Sequence, residues 1–283
     1  MGTLYVVATP IGNLNDMTLR AISTLKEVSY ILCEDTRTSL KLLDHFDIKN
    51  KLVSYHKFNE MEKVDKIIND LKNGLDVALI SDAGTPCISD PGNILVKRAR
   101  QEDIKVLGVG GISALVTALS VSGVNTDKFT FYGFFPRETN DKNKLIKEIE
   151  SSFVNTFVFY ESPKRIVKTL EFLSLKLGNV KVSVFKELTK LHEKNYYGLI
   201  NDVILSLKDD EKTSLGEYTF ILEKEGRILE KNEMSIEALL VNEMIKENLS
   251  LKDATNKLNN DLDDISKKDI YNAGLNLKRL FKD

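Results

Sequence analysis

The chain has 283 residues, which at roughly 150 residues per domain gives room for two domains. Its 42% hydrophobic and 29% charged residues are ordinary for a globular protein and exclude a disordered or fibrous chain. Forty Lys and Arg against 42 Asp and Glu leave a net charge of −2, so any nucleic-acid partner must be met by a local basic patch, not by global attraction.

From the N-terminus, Leu4–Ala8 reads as a strand that runs straight into Thr9-Pro10-Ile11-Gly12, with no basic lead or long apolar run of a signal peptide. Further strands are predicted at Val28–Cys33, Asp76–Ser81 and Ile104–Val109. Helices are predicted at Met17–Lys26, Thr38–Phe46, Glu62–Asn73, Asn93–Glu102 and Ser113–Ser122. Gly74 is placed to cap the third helix at its C-terminus. The run Val77-Ala78-Leu79-Ile80 is that of a strand buried on both faces, and strand–helix alternation over residues 1–124 predicts a mostly parallel sheet covered by helices. The weakly polar stretch Val109–Val124 is too short, and too rich in Gly and Ser, to span a bilayer.

Residues 125–226 read as a second α+β domain with a mixed sheet. Strands are expected at Phe129–Phe134, Thr156–Tyr160, Lys181–Phe185, Tyr196–Gly198 and Glu217–Glu223. Only two helices are expected among them, Pro163–Leu177 and Leu199–Leu207, the first started by Ser162-Pro163. Residues 227–283 form a small helical segment, with helices at Ile236–Lys246, Leu251–Leu258 and Lys268–Phe281. Ser250 with Asp253 and Ser266 with Asp269 are spaced as variant capping boxes. The pattern fits a helix-turn-helix or a plain packing appendage. Lys267, Lys268, Lys278, Arg279 and Lys282 against Asp269 and Asp283 give its last helix a local charge of +3, which suits an RNA contact or a solvated face. The cysteines Cys33 and Cys87 and the histidines His45, His56 and His192 are scattered, so neither a metal site nor a disulfide framework is expected.

Ligands of parallel α/β sheets bind outside the carboxyl ends of the strands, and those ends are unusual here. The first strand is followed by Thr9–Leu14, the second by Glu34-Asp35-Thr36-Arg37 and the fourth by Gly108-Val109-Gly110-Gly111-Ile112-Ser113-Ala114. After the third, Ser81–Gly92 packs two Gly, two Pro, two Asp, two Ser and a Thr into one loop, bent and stiffened enough to present its backbone to a ligand. Gly108-x-Gly110-x-x-Ser113 lacks the third glycine of a dinucleotide fingerprint, which argues against a nicotinamide enzyme. Gly110-Gly111 can still let a carboxylate or phosphate approach the positive end of the helix that Ser113 opens. Asp35 and Arg37 either orient a polar substrate or pair with each other. His56, Asn59 and Glu60 form a polar cluster in which Asn59 can be a helix cap.

Taken together, Thr9–Leu14, Glu34–Arg37, Ser81–Pro86, Ser89-Asp90-Pro91-Gly92, Phe159-Tyr160-Glu161-Ser162 and Glu187-Leu188-Thr189-Lys190 resemble the bacterial small-subunit ribosomal RNA (cytidine-2′-O)-methyltransferases, of the tetrapyrrole-methylase fold family. The motifs occur in the family's order over residues 4–224. The resemblance implies two α/β domains closing on S-adenosylmethionine within a homodimer, while the N-terminal strand and the short Val109–Val124 stretch point to the cytoplasm. It implies Gly84-Thr85-Pro86 as the cofactor turn, with Thr85 where corrin and porphyrin methylases carry Asp. Ile88, Ser113, Ala114 and Tyr160 are implied as cofactor neighbours, together with Pro10, Asp82 and Leu188. Where the family usually has Pro-Gly, this chain has Gly110-Gly111.

The implied reaction moves a methyl group to a ribose 2′-hydroxyl of a cytidine in small-subunit (16S) ribosomal RNA, presented within the assembled subunit. Such a displacement needs alignment and a proton acceptor. Lys190 (if deprotonated), Glu187 and Asp35 are the candidates for that acceptor, with Arg37 as a phosphate or ribose anchor. The alternatives are a corrin or porphyrin methyltransferase of the same fold, or a non-catalytic ribosome assembly factor.

Overall fold

The computed structural model describes residues 1–224, 235–261 and 266–280. The chain divides into two compact units, Met1–Lys224 and Glu225–Asp283.

The first half of the larger unit runs β1 (Thr3–Val7), a 3-10 turn, α1 (Leu19–Glu27), β2 (Tyr30–Cys33), α2 (Thr36–His45), β3 (Leu52–Ser54), α3 (Glu60–Lys72), β4 (Val77–Leu79), α4 (Asn93–Gln101), β5 (Lys105–Val109) and α5 (Ala114–Ser122). The strands form one parallel sheet in the order β3-β2-β4-β1-β5. Alternate side chains divide between its faces. Leu4, Leu32 and Leu79 meet α3 and α4 through Ile67, Leu71 and Leu95. Val7, Ile31 and Ala78 meet α1 and α2 through Leu25 and Leu43. Both faces are thus apolar, which is why β4 is a continuous buried run. Strand β3 was not expected from the sequence: it is a three-residue, half-buried edge strand with no alternation to read. Gly74 lies just past the Asn73 cap of α3 with φ of 92°, as its C-terminal role requires.

The second half contains β6 (Phe129–Phe134), α6 (Thr139–Ser151), β7 (Thr156–Glu161), α7 (Ile166–Leu177), β8 (Lys181–Lys186), β9 (Lys194–Leu199), α8 (Ile200–Asp209) and β10 (Tyr218–Glu223). The sheet order is β6-β7-β10-β8-β9, with β6 parallel to β7 and the other pairs antiparallel. The expected mixed sheet is present. Two expectations need correction. Helix α6 was missed because its first turns are polar, although Leu145, Ile146 and Ile149 form a buried helical stripe. Ser162-Pro163 does not open α7. The Ser162 carbonyl accepts the backbone N–H groups of Arg165 and Ile166, making a turn that delays the helix to Ile166.

The two sheets are joined by α5. Its Ala118 and Leu119 pack with Ile11 from the loop after β1 against Val158 on β7, Phe185 on β8 and Ile221 on β10. This contact sets the carboxyl ends of the parallel strands opposite the second sheet.

The smaller unit holds α9 (Ile236–Glu247), α10 (Leu251–Asp261) and α11 (Lys267–Leu280) around Leu240, Ala254, Leu258, Ile270, Ala273 and Leu277. Both capping boxes form. The Ser250 Oγ accepts the Asp253 N–H at 3.2 Å and donates to its carboxylate at 2.6 Å, and Ser266 does the same with Asp269. Lys267, Lys268, Lys278 and Arg279 are exposed, whereas Phe281, Lys282 and Asp283 lie outside the described residues. Among the described residues no helix is long and apolar enough to cross a membrane.

Candidate active site

The strand-end loops are tied to one another before any ligand is considered. Thr9 and Gly84 exchange backbone hydrogen bonds at 2.8 and 3.0 Å, and the Thr9 hydroxyl donates to the Ser81 carbonyl. The Asp35 N–H donates to the Asp82 carboxylate at 3.1 Å, and the Thr85 hydroxyl reaches the Ile112 carbonyl at 3.4 Å. All four loops therefore form one connected rim on the parallel sheet. Such preorganisation lets backbone groups bind a ligand without first being ordered.

Between this rim and the second sheet lies a cleft of about 390 Å³, within the usual size range for small-molecule sites. Of the residues expected to hold the cofactor, Asp82, Gly84, Thr85, Ile88, Ser113, Ala114 and Tyr160 line it. Pro10 and Pro86 do not line it and are buried, next in the chain to the lining residues Ile11 and Thr85. Leu188 lines a small side pocket of about 30 Å³ with Ile11 and Ala114. The α5 N-terminus opens into the cleft, and the Ser113 side chain makes no capping hydrogen bond there. Uncapped N–H groups and the helix dipole suit a carboxylate at that point. Apolar surface from Ile11, Ile88, Phe134 and Tyr160 completes a pocket with a polar floor. Burial raises the Tyr160 hydroxyl above its ordinary pKa, keeping it neutral.

At the other rim, Glu187-Leu188-Thr189-Lys190 forms a strained turn, with φ of 57° at Glu187 and 66° at Thr189. Left-handed backbone at two residues other than Gly, Asn or Asp costs free energy and persists only where surroundings enforce it. Two glycines are part of that enforcement. A Cβ on Gly12 would lie 2.3 Å from Lys190 Cε, and one on Gly216 would lie 2.7 Å from Glu187 Cγ. Lys190 Nζ sits 2.8 Å from both Glu187 Oε1 and Glu217 Oε2. Burial pulls its pKa down, but the two carboxylates outweigh this and hold it above the ordinary lysine value. This arrangement favours the protonated form of Lys190. Lys190 bridges Glu187 and Glu217, the second of which lines the cleft.

Asp35 and Arg37 do not line the cleft. Asp35 caps α2 by accepting the Arg37 N–H at 2.8 Å, and its carboxylate pairs with the Arg37 guanidinium at 2.7 Å. That pairing lowers the Asp35 pKa to about 2. The mutual pairing is present in the structure and leaves the Arg37 side chain exposed. Asn59 likewise turns inward, accepting the His56 N–H and bonding its ring, and makes no side-chain cap on α3.

Sequence reasoning gave no role to Asp90, Phe134 or Glu217, all of which line the cleft. Asp90 lies in the Ser89-Asp90-Pro91-Gly92 turn, where an acid in a stiffened strand-end loop is a readable signal. Glu217 carried none, because it reaches the cleft only through the antiparallel return of β10 between β7 and β8.

Residues 3–204 match the family model described as Tetrapyrrole (Corrin/Porphyrin) Methylases. The chain is 43% identical to the Ribosomal RNA small subunit methyltransferase I of Halalkalibacterium halodurans over 275 residues, covering 96% of this chain and 94% of that one. It is 46% identical to the protein of the same name from Hydrogenobaculum sp. over 230 residues, 81% of this chain and 99% of that one. Among solved structures, diphthine synthase shares the fold with a TM-score of 0.61 at 12% identity, over 79% of this chain and 90% of its own. The chain belongs to the tetrapyrrole (corrin/porphyrin) methylase family, in the group of its small-subunit ribosomal RNA methyltransferases.

Proposed function

We propose that the protein binds S-adenosylmethionine in the cleft between its two sheets and methylates the ribose 2′-hydroxyl of a cytidine in small-subunit (16S) ribosomal RNA. The observation that carries the reading is the cleft itself. It joins a helix N-terminus suited to a carboxylate, apolar walls, and the acidic side chains Asp82 and Glu217, which suit a sulfonium and an ammonium charge. The relatives' names supply the RNA.

When bound, S-adenosylmethionine supplies an electrophilic methyl group. The chain supplies position. Gly84 and Thr85 lie against Thr9 and Ile112 and hold one wall fixed, while Tyr160 faces them from β7. Alignment of acceptor and methyl carbon by such fixed walls is a large part of what a displacement needs. Lys190 and Glu187 act by holding Glu217 in the wall, and the exposed Arg37 is the RNA anchor on the outer rim. The basic face of α11 adds phosphate contacts, and the assembled subunit supplies shape. A cytoplasmic enzyme follows from that substrate. A homodimer fits Leu107 on the edge strand β5 and Val116 and Val121 on α5, all exposed apolar side chains. The parts proposed are a cofactor-loop domain at 1–124, a cleft-closing domain at 125–226 and an RNA-contacting segment at 227–283.

Titration calorimetry with S-adenosylmethionine tests the reading. Saturable heat with one site per chain is expected, and its absence would remove the proposal.

A further inference from the structure

A 2′-hydroxyl must lose its proton as it attacks, and most carboxylates of the cleft are already committed. The Glu161 oxygens are taken by the Ser162 N–H at 2.7 Å, the Thr169 hydroxyl at 2.6 Å and Arg165 at 3.2 Å. Glu217 is paired with Lys190, and Asp82 accepts the Asp35 N–H. Asp90 forms no ion pair among the described residues, and the neighbouring Ser81 hydroxyl donates to the Ala83 and Gly84 carbonyls.

Its position is equally distinctive. Beside the cofactor cleft lies a second cavity of about 690 Å³, between the loop after β4 and the Phe131–Gly133 stretch of β6, with Glu34, Lys57 and Glu60 along its edge. Ile88, Ser89 and Asp90 line both cavities. At this waist the chains close up: a Cβ on Gly133 would lie 3.3 Å from the Ser89 hydroxyl. Of the three residues common to both cavities, Asp90 alone carries a titratable side chain. The loop presenting it is fixed, with Cys87 at φ of 70°.

Resting on the proposed function, we infer that Asp90 is the proton acceptor, and that the acceptor nucleotide reaches it through the second cavity. Asp90 takes the hydroxyl proton as the oxygen–carbon bond forms and the carbon–sulfur bond breaks, the sulfur keeping the bonding pair as a neutral thioether. No further reactant is needed. Burial, then the neighbouring Glu34 and Asp82 carboxylates, raise the Asp90 pKa to about 6, with Ser81 partly offsetting them. The other titratable groups around it are Cys87 and Tyr160, both pushed up and neutral, and Lys57 and Glu60 along the second cavity. A carboxylate of this strength is ionised at neutral pH yet a better base than an exposed one.

The test compares the full-length protein with Asp90→Asn. In the variant, S-adenosylmethionine should bind within about threefold of wild type by calorimetry, while methyl transfer to unmodified small subunits falls by about 100-fold or more. The acidic limb of the wild-type rate profile, rising through about pH 6, should disappear. A carboxyl carbon resonance titrating near that pH should be present in wild type and missing in the variant, a readout independent of turnover. Unchanged transfer in Asp90→Asn, equal losses of binding and transfer, or no resonance titrating above the ordinary aspartate range would each overturn the inference. If wild type binds cofactor but labels no RNA, the underlying functional reading fails as well, which separates the two.

Discussion

At the scale of single residues, adjacent positions carry different constraints. Gly110 has no positive φ, and a Cβ there would meet nothing within 4 Å; one on Gly111 would lie 2.9 Å from Ala8 Cβ. The family's usual Pro-Gly is therefore replaced at the position that tolerates a side chain and kept at the one that does not. Gly110→Ala should stabilise the protein by about 0.5 kcal/mol through the unfolded chain, while Gly111→Ala destabilises it. Urea midpoints of both variants check this. Lys190 gives a second prediction. Lys190→Met leaves Glu187 and Glu217 without their shared cation and should cost about 1–2 kcal/mol at neutral pH. Because the folded pKa is raised, the stabilisation is complete below the unfolded value of about 10.4 and lost as pH climbs through the folded value. The difference between wild-type and variant urea midpoints should stay constant from pH 6 to about 9.5 and shrink only above about pH 10. A difference that closed near pH 7 would mean that Lys190 titrates there and can serve as a base.

At the scale of elements, what was readable followed from burial. Strands β1, β2 and β4 are flanked on both faces, so their apolar runs announced them, and helices α1 to α4 carried clear stripes. What failed had weak local signals. Strand β3 is a half-buried edge, α6 opens on a polar turn, and Ser162-Pro163 has a helix-start composition while the Ser162 carbonyl makes a turn. The site divided in the same way. Loops at the carboxyl ends of parallel strands were legible because topology places them together, so Asp82 to Ile88 and Ser113-Ala114 meet in one cleft. The contribution of β10 was not, since Glu217 arrives from more than a hundred residues away by antiparallel pairing. Nor could the sequence show that Lys190 is spanned by two carboxylates, one of them distant.

At the scale of the whole molecule, a chain of net charge −2 cannot draw RNA by its overall field, so local patches must act. Lys267, Lys268, Lys278 and Arg279 are exposed on α11, in a unit with its own core and beyond the matched family segment. Removing residues 225–283 should weaken RNA binding, measured by filter retention at two salt concentrations, and flatten its salt dependence, while leaving calorimetric cofactor binding within about twofold. Equal losses would place the smaller unit in the cofactor site instead. In the proposed function, the cleft between the sheets delivers a methyl group to a ribose oxygen of small-subunit RNA. The most direct measurement is transfer of labelled methyl from S-adenosylmethionine to small subunits lacking the modification, followed by digestion to nucleosides. Label is expected in 2′-O-methylcytidine and nowhere else. Label on a base, or bound cofactor with no label in the RNA, would contradict it.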